Sequence, residues 1–241
     1  RHSWLYGKDS KPSNDPEDLY KIQNGSSRRY FNETHTLLKE FPSGTKIRLQ
    51  KDKDNTAAFY VIDFIELELV PPALPQPESS ISVCSFGAKG DGKTDDTEAI
   101  QAAIAQAVAQ KKILYLPPGN YRTTRRFSVQ NLEIQGAGIW YSAIINKREN
   151  LDEKSQGIGF KVNQKSKFKD FSILGDGTIR GDESPAFSGI FGEGSIIENI
   201  WVENAQCGVW AGVDKQAPPE NLTVRNCRFR NLFADGINLC C

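Results

Sequence analysis

A six-residue pattern recurs in the second half of this sequence, and it constrains the fold more than any other feature. Each copy begins with Asn or Asp and continues with an apolar, a variable and a second apolar residue. The fifth position is again variable, and the sixth is Gly or Asn. The copies begin at Asn131, Asp170, Asn199 and Asn226, so the spacing settles to 29 and then 27 residues. Repeats of this length predict a solenoid.

The apolar residues within each copy alternate with a period of two, which is the period of a β-strand. One such strand cannot bury its apolar face alone, whereas stacked coils share a continuous core. The predicted inward pairs are Leu132/Ile134, Phe171/Ile173, Ile200/Val202 and Cys227/Phe229, and the predicted outward residues are Glu133, Ser172, Trp201 and Arg228. We expect the closing Gly or Asn to supply a left-handed turn residue at the corner.

A second, shorter pattern indicates another strand in each coil. Gly208-Val209-Trp210 and Gly236-Ile237-Asn238 match at a distance of 28 residues. Leucine-rich repeats are the rival solenoid, but their dense leucine pattern is absent. Helical repeats do not fit because the alternation has a period of two. The sequence therefore predicts an all-β solenoid.

A proline-rich stretch divides the chain into two unlike parts. Residues 71–79 contain four of the twelve prolines, which predicts a stiff, extended linker. Before it, Lys46–Gln50 and Ala57–Val70 read as strands separated by turns. Residues 1–70 are too few for a complete β-sandwich of ~100 residues. We therefore expect them to form a partial, carbohydrate-binding-like sandwich whose other half lies upstream.

The start of the second part has a strand, a turn region and one helix. Ile81–Phe86 reads as a strand, Thr97–Gln110 as an amphipathic helix, and Ile113–Leu116 as a short buried strand stopped by two prolines. Three glycines between residues 87 and 92 predict turns. The acidic residues Asp91, Asp95 and Asp96 are explained by turn and helix-cap roles rather than by catalysis.

Two sets of residues resemble known families. The runs 86–97 and 116–121 look like the entry of pectin-lyase-like β-helices. The run 57–68, the proline-rich linker and the run 233–238 together resemble the α-1,3-glucanase (mutanase) family of glycoside hydrolases. The resemblance implies a right-handed parallel β-helix with one N-terminal capping helix, preceded by a β-sandwich. Residues 80–241 would be the N-terminal portion of the catalytic β-helix.

The same resemblance implies hydrolysis of α-1,3-glucan with inversion, which needs two carboxyl groups ~6.5–9.5 Å apart. The family has a catalytic aspartate in an Ala-Asp-Gly-Ile-Asn run, and Asp235 occupies that position here. An aspartate in a turn before glycine is the structural alternative. Trp210 and Asn238 are predicted to face outward beside it and to bind substrate, although Trp210 would equally suit a position covered by a loop.

The partner acids are expected on the following coil, 20 to 30 residues after Asp235. The chain ends at Cys241, so we expect it to be a fragment that is inactive alone. Rival hypotheses are another β-helix polysaccharide enzyme, a polygalacturonase or a polysaccharide lyase, and a non-catalytic binding or adhesive β-helix. Arg225, Arg228 and Arg230 form a basic cluster that keeps the lyase hypothesis open.

The amino-acid composition limits the classes of molecule that we expect the protein to bind. Lys plus Arg equals Asp plus Glu at 30 each, which argues against a nucleic-acid partner. The apolar run Ala57–Val70 is too short and too charged to cross a membrane. We expect a polysaccharide substrate, secretion and no cofactor, although the loop Gly175–Glu183 has a composition compatible with structural calcium. Cys84, Cys207 and Cys227 are interpreted as free thiols, and the oligomeric state stays open.

Overall fold

The computed structural model describes residues 35–54, 62, 64–146, 157–177, 184–212 and 219–239. The described residues fall into two compact units, residues 35–72 and residues 73–239. Within the described part of the chain, no helix is long and apolar enough to cross a membrane.

The first unit differs from the sequence prediction. The structure assigns no strand to Lys46–Gln50 or to residues 64–70, so the prediction of strands there is wrong. Ile47 and Leu49 are 48% and 54% exposed, and the alternation that suggested a half-buried strand therefore corresponds to no buried face. Residues 1–34 and 55–61 lie outside the described residues. The partial β-sandwich over residues 1–70 stays a prediction.

The second unit consists of short strands and one long helix. In chain order its elements are β1 (Ser80–Ser82), β2 (Asp91–Asp95), α1 (Thr97–Gln110), β3 (Ile113–Leu116), β4 (Gly119–Arg122), β5 (Phe127–Val129), β6 (Glu133–Gly136), β7 (Ser142–Ile145), β8 (Phe160–Val162), β9 (Lys167–Leu174), β10 (Phe187–Gly189), β11 (Ile196–Glu203), β12 (Val209–Ala211), β13 (Thr223–Arg225), β14 (Arg228–Arg230) and β15 (Ile237–Leu239).

The strands stack in two parallel sheets. In the first sheet β1, β3, β6, β9, β7, β4 and β2 are neighbours in that order, and β11 extends it from β9 toward β13 and β14. The second sheet has the order β5, β8, β10, β12, β15. The chain passes from one sheet to the other in each coil, and every coil rests on the one before. This architecture is the predicted right-handed parallel β-helix.

The core runs along the solenoid axis between the two sheets. Phe127, Phe160 and Phe187 occupy matching inward positions on successive strands of the second sheet. Their ring centroids are 5.9 and 5.8 Å apart, and all three are at most 1% exposed. Phe168 packs against the same column from the first sheet. One inward phenylalanine on each of these three coils therefore gives neighbouring coils a shared apolar layer.

The predicted register is confirmed for the later copies of the repeat. Ile200 pairs with Phe171 and Val202 with Ile173, while Phe229 pairs with Val202 on the other side. The first copy stacks differently from the sequence alignment. Ile134 lies opposite Phe168, and it is Ile144 of β7 that lies opposite Ile173. The first copy therefore matches the first half of β9, and the second half of β9 pairs with β7, a separate strand that does not carry the six-residue pattern.

The corner residues follow a different rule from the one predicted. The residues that open each copy have left-handed backbones: Asn131, Asp170, Asn199 and Asn226, with φ between 49° and 62°. Of the closing residues, Asn204 and Asn231 have positive φ. Gly136 and Gly175 do not, and here the left-handed prediction is wrong. A Cβ on Gly136 would lie 2.3 Å from the Asp170 carbonyl oxygen, so close approach between coils is what requires glycine.

The entry to the solenoid confirms the helix and both roles proposed for its aspartates. Helix α1 has the predicted bounds. The Asp95 carboxylate accepts hydrogen bonds from the backbone amide and the hydroxyl of Thr97 in the first turn. Asp96 is 1% exposed and accepts instead from the amides of Lys89 and Gly90, so it fixes the glycine turn. The predicted strand Ile81–Phe86 is shorter, because a 3₁₀ turn begins at Val83.

Trp201 faces outward from the first sheet, as predicted, yet it is only 1% exposed. The ring of Trp140 meets it edge-on at 5.0 Å between centroids. The guanidinium groups of Arg228 and Arg230 lie 5.1 and 5.7 Å from its ring centroid. Outward orientation in this solenoid therefore does not mean exposure, because loops and neighbouring side chains cover part of the outer surface.

The cysteines agree partly with the sequence. Cys84, Cys207 and Cys227 are free thiols, as predicted. Cys207 is buried and Cys227 partly buried, whereas Cys84 is exposed. Cys240 and Cys241 lie outside the described residues.

Candidate active-site surface

The outward residues of the second sheet form one column along the solenoid. Pairing between successive strands places them side by side in the order Ser128, Lys161, Ser188, Trp210 and Asn238. We call this row the outer column. Neighbouring members are separated by about 4.8 Å, the spacing of hydrogen-bonded strands. The register that the sequence predicted between Trp210 and Asn238 is confirmed.

Asp235 lies at the corner that leads into β15. It is exposed, and its Oδ2 accepts a hydrogen bond of 3.0 Å from the side-chain amide of Asn238. Its backbone carbonyl accepts from the amide of Gly208 on the coil before, which places Asp235 beside Cys207 as predicted. The structure therefore brings the three predicted site residues together: Asp235 contacts Asn238, and Asn238 is the strand partner of Trp210.

Trp210 is partly buried rather than fully covered. Its ring lies on the outer face between Ser188 and Asn238, one residue in each direction along the outer column. A ring of this kind beside an exposed carboxylate can pack against the apolar face of a sugar while the carboxylate contacts a hydroxyl or glycosidic oxygen.

Arg126 is a residue of this surface that sequence reasoning missed. It precedes β5, and one terminal nitrogen of its guanidinium (Nη2) donates to the Phe160 carbonyl at 2.7 Å and to the Ser188 hydroxyl at 2.9 Å. The side chain therefore crosses two coils of the second sheet. It fixes the side chain of Ser188, which is only 9% exposed and is the strand neighbour of Trp210.

Lys161 and Ser188 were also missed, although a signal for one of them exists. Gly159-Phe160-Lys161 repeats the Gly-apolar-variable pattern of Gly208-Val209-Trp210. The interval of 49 residues conceals it, because the coil that contains Ser188 lies between them and begins with Ala186 in place of glycine. An aligned search for the shorter pattern, rather than for the six-residue one, would have identified Lys161.

The basic cluster proposed near the site is directed elsewhere. Arg225 forms an ion pair with Glu198 at 2.8 Å. Arg228 and Arg230 stack on Trp201 on the first sheet, whereas the outer column belongs to the second sheet. These three arginines therefore do not line the surface beside Asp235.

The remaining acidic residues have structural environments. Backbone and side-chain hydrogen bonds from Thr94 and the amide of Lys93 lower the pKa of Asp91 to about 2. Burial raises the pKa of Asp95, but hydrogen bonds from Thr97 and Thr124 outweigh it and the net shift is downward. In the loop Gly175–Glu183, Asp176 is 8% exposed, and Asp182 and Glu183 lie outside the described residues. No group of three His, Cys, Asp or Glu side chains arranged for a metal occurs within residues 35–54, 62, 64–146, 157–177, 184–212 and 219–239.

Both parts of the chain match family models. Residues 80–167 match the model of the rhamnogalacturonase A/epimerase, pectate lyase-like family, and residues 1–70 match that of the α-1,3-glucanase catalytic domain D1. Together with the stacked parallel sheets, the first match shows that residues 80–167 are similar to pectate lyase-like β-helices. The second match confirms the resemblance to α-1,3-glucanases that the sequence indicated.

Several solved structures are also similar to this chain. The Agl-KA catalytic domain is 30% identical, with a TM-score of 0.61, and the match covers 72% of this chain and 32% of that one. A GH87 α-1,3-glucanase catalytic unit from Streptomyces thermodiastaticus is 29% identical, with a TM-score of 0.54 over 70% of this chain and 34% of its own. A third structure, a GH87 α-1,3-glucanase catalytic domain in complex with nigerose, is 26% identical, with a TM-score of 0.56 over 71% of this chain and 29% of its own.

Among curated proteins, alginate lyase 7 of Azotobacter vinelandii is 41% identical over 111 residues, 42% of this chain and 13% of that protein. The chain thus spans about a third of the similar structures and about an eighth of this relative. By their names, two of these structures are α-1,3-glucanase domains and the curated relative is an alginate lyase.

Proposed function

We propose that this chain is part of a glycoside hydrolase that cleaves α-1,3-glucan with inversion, and that Asp235 is one of its two catalytic carboxyl groups. The observation that carries the proposal is the position of Asp235. Its exposed carboxylate accepts a hydrogen bond from the side chain of Asn238. Asn238 in turn is the strand partner of the half-buried Trp210. An aromatic side chain can pack on the apolar face of a sugar, while a carboxyl group near it acts on the glycosidic bond together with a second carboxyl group.

The solenoid supports the two-carboxylate geometry. Inverting hydrolysis needs carboxyl groups ~6.5–9.5 Å apart, so that a water molecule fits between one of them and the sugar. Side chains on adjoining coils start about 4.8 Å apart and reach that range readily. At this corner the coil before Asp235 presents Gln206 and Cys207, which are not acids. We therefore expect the partner acid on the coil after Asp235.

Three consequences belong to the same proposal. Residues 1–241 alone are expected to bind glucan without hydrolysing it, because one carboxyl group cannot supply both the proton and the activated water. The chemistry needs no metal, so chelation of divalent ions is expected to leave the rate unchanged. An insoluble polymer is met outside the cell, so the protein is expected to be secreted.

The test is reducing-sugar release by the protein in its full natural length from insoluble α-1,3-glucan. Asp235→Asn should abolish release, whereas Asp91→Asn, which changes an exposed aspartate in a turn far from the outer column, should leave it intact. Release that persists in Asp235→Asn would remove Asp235 from the mechanism. Nuclear magnetic resonance of the fresh product reports inversion or retention directly.

Parallel reactions separate the rivals. Dextran, polygalacturonate and alginate serve as alternative substrates under the same conditions. The arginines that kept the lyase hypothesis open are engaged with Glu198 and Trp201 on the other sheet, so we expect no release from the acidic polymers. Binding of α-1,3-glucan without release by the full-length protein would instead support a non-catalytic binding or adhesive β-helix.

A further inference from the structure

The outer column continues beyond the predicted site residues. Trp210 and Asn238 belong to the last two described coils. Two coils before Trp210 the outer column contains Lys161, which is exposed. Among the described residues, the ammonium group of Lys161 makes no ion pair within 4.0 Å. The nearby lysines of the first sheet differ, because Lys167 and Lys169 both pair with Glu133. Lys161 is thus a cation directed to solvent in line with Asp235.

Ser188 connects Lys161 to Trp210. It is the strand neighbour of both, and its hydroxyl accepts a hydrogen bond from Arg126. Ser188 is only 9% exposed, so it lies between the two larger side chains rather than meeting solvent. From Asp235 onward, the surface therefore offers first the aromatic face of Trp210 and then the ammonium donor of Lys161, in a straight row. The row spans about 10 Å between Trp210 and Lys161, two strand spacings.

This arrangement suits one kind of occupant. A glycan chain lying along the solenoid axis presents sugar after sugar to successive coils, each with hydroxyl oxygens that accept hydrogen bonds. Lys161 supplies a donor for these oxygens, and within the described residues no member of the outer column is a carboxylate that would compete for its ammonium group. A single sugar at Asp235 would not reach Lys161, whereas a chain of several sugars would.

We propose that Lys161 is a substrate-binding residue at the far end of the Asp235 site and that it makes binding depend on glucan chain length. The inference rests on the proposed function, since it takes the occupant to be α-1,3-glucan. Hydrogen bonds from Lys161 to hydroxyl oxygens of a distal sugar stabilise long chains only. Trp210 contacts short and long chains alike.

The test measures binding, which requires no turnover, to the full chain by isothermal titration calorimetry. Linear α-1,3-gluco-oligosaccharides of two to eight sugars are the probes. We expect affinity to rise with length in the unchanged protein. In Lys161→Ala the affinity for the longest chains should fall about tenfold, while that for the disaccharide should not change. Lys112→Ala, a change at an exposed lysine after helix α1, is the matched control and should behave as the unchanged protein.

The outcomes are distinguishable. If the unchanged protein binds none of the α-1,3-linked oligosaccharides, the proposed function fails. If it binds them and Lys161→Ala shows the same dependence on length, only the role of Lys161 fails. A Lys161-dependent affinity for oligoalginate above that for the glucan oligosaccharides would overturn the glucan as occupant. Circular dichroism of each variant checks that the solenoid is intact.

Discussion

The side-chain amide of Asn238 donates a hydrogen bond of 3.0 Å to Oδ2 of Asp235, across the corner that begins the last described strand. The two residues are three positions apart in sequence, yet one belongs to the corner and the other to the outer face of the second sheet. The bond fixes the direction of an exposed carboxylate that would otherwise rotate freely. Asp235 is thereby oriented by the strand on which substrate is proposed to rest.

If Asp235 is catalytic as proposed, Asn238→Ala should reduce kcat of the full-length protein on α-1,3-glucan by about tenfold or more, because a misdirected carboxylate loses its alignment with the reacting bond. A smaller rise in KM is expected from the lost substrate contact. Steady-state kinetics on soluble oligosaccharides separates the two parameters. A variant with both parameters unchanged would show that the hydrogen bond has no part in catalysis.

A second prediction contrasts two tryptophans that both face outward. Trp201 is enclosed by Trp140 and two arginines and is 1% exposed. Trp201→Ala should therefore lower the free energy of unfolding by about 3–5 kcal/mol. Trp210→Ala should cost about 1–2 kcal/mol, since its side chain is only partly buried, but should weaken oligosaccharide binding. Urea unfolding and calorimetric binding measure both. Equal losses of stability would contradict the distinction between a packed and a functional tryptophan.

A third prediction separates two reasons for glycine. At Gly136 a Cβ would lie 2.3 Å from the Asp170 carbonyl oxygen, whereas at Gly87, with φ of 96°, it would meet nothing within 4 Å. Gly136→Ala forces two coils apart and should cost about 3 kcal/mol. Gly87→Ala places a Cβ on a left-handed backbone without a clash, and it should lower the free energy of unfolding by about 1–2 kcal/mol. Chemical denaturation gives both values. A larger cost at Gly87 than at Gly136 would contradict this account.

A fourth prediction concerns Asp170, which opens its copy where the other copies have Asn. Burial raises its pKa above the ordinary 3.8; the Asn199 amide opposes this shift and the charge of Glu198 reinforces it. A raised pKa means that the folded state holds the proton more tightly than the unfolded state. Stability therefore declines as pH rises from 3.8 through the folded-state pKa. Asp170→Asn should remove this decline and raise the stability at pH 7.

The control for Asp170 is Asp91, whose pKa is lowered to about 2 by Thr94 and Lys93. Its contribution has the opposite sign: it is present above pH 3.8 and is lost as pH falls through about 2. Asp91→Asn should therefore lower stability at pH 7, and both variants should approach the unchanged protein at strongly acidic pH. Thermal unfolding between pH 2 and pH 8 tests the pair. A neutral-pH loss of stability in Asp170→Asn would contradict the proposed sign.

The β-helix was predictable from the sequence because each copy of the repeat contains the two apolar residues that a coil buries and the Asn or Asp at which the coil turns. Stacking of the first copy was not predictable in the same way. The first copy lies on β6, which pairs with the first half of β9, whereas the second half pairs with the separate strand β7, which lacks the six-residue pattern. The strands expected at Lys46–Gln50 and residues 64–70 failed because alternation alone does not supply a buried face.

The site was predictable to the extent that it is local. Asp235, Trp210 and Asn238 belong to two matching short patterns, so their proximity followed from one register. Arg126 could not be found in this way, because it reaches Ser188 across 62 positions of sequence through a hydrogen bond that no repeat encodes. The cover over Trp201 was missed for a similar reason, since Trp140 belongs to a loop between β6 and β7 rather than to a repeat.

The stacking of successive coils at nearly constant intervals has a consequence for how such a protein can change over generations. Duplication of one whole coil adds a matching layer to both sheets and leaves the corner at Asp235 unaltered. Each duplication would lengthen the outer column by about 4.8 Å. A duplication that shifts a strand by an odd number of residues would instead reverse which side chains face the core. If the outer column binds glucan as proposed, the length of bound polymer can therefore change between descendants by whole coils, without any change at Asp235.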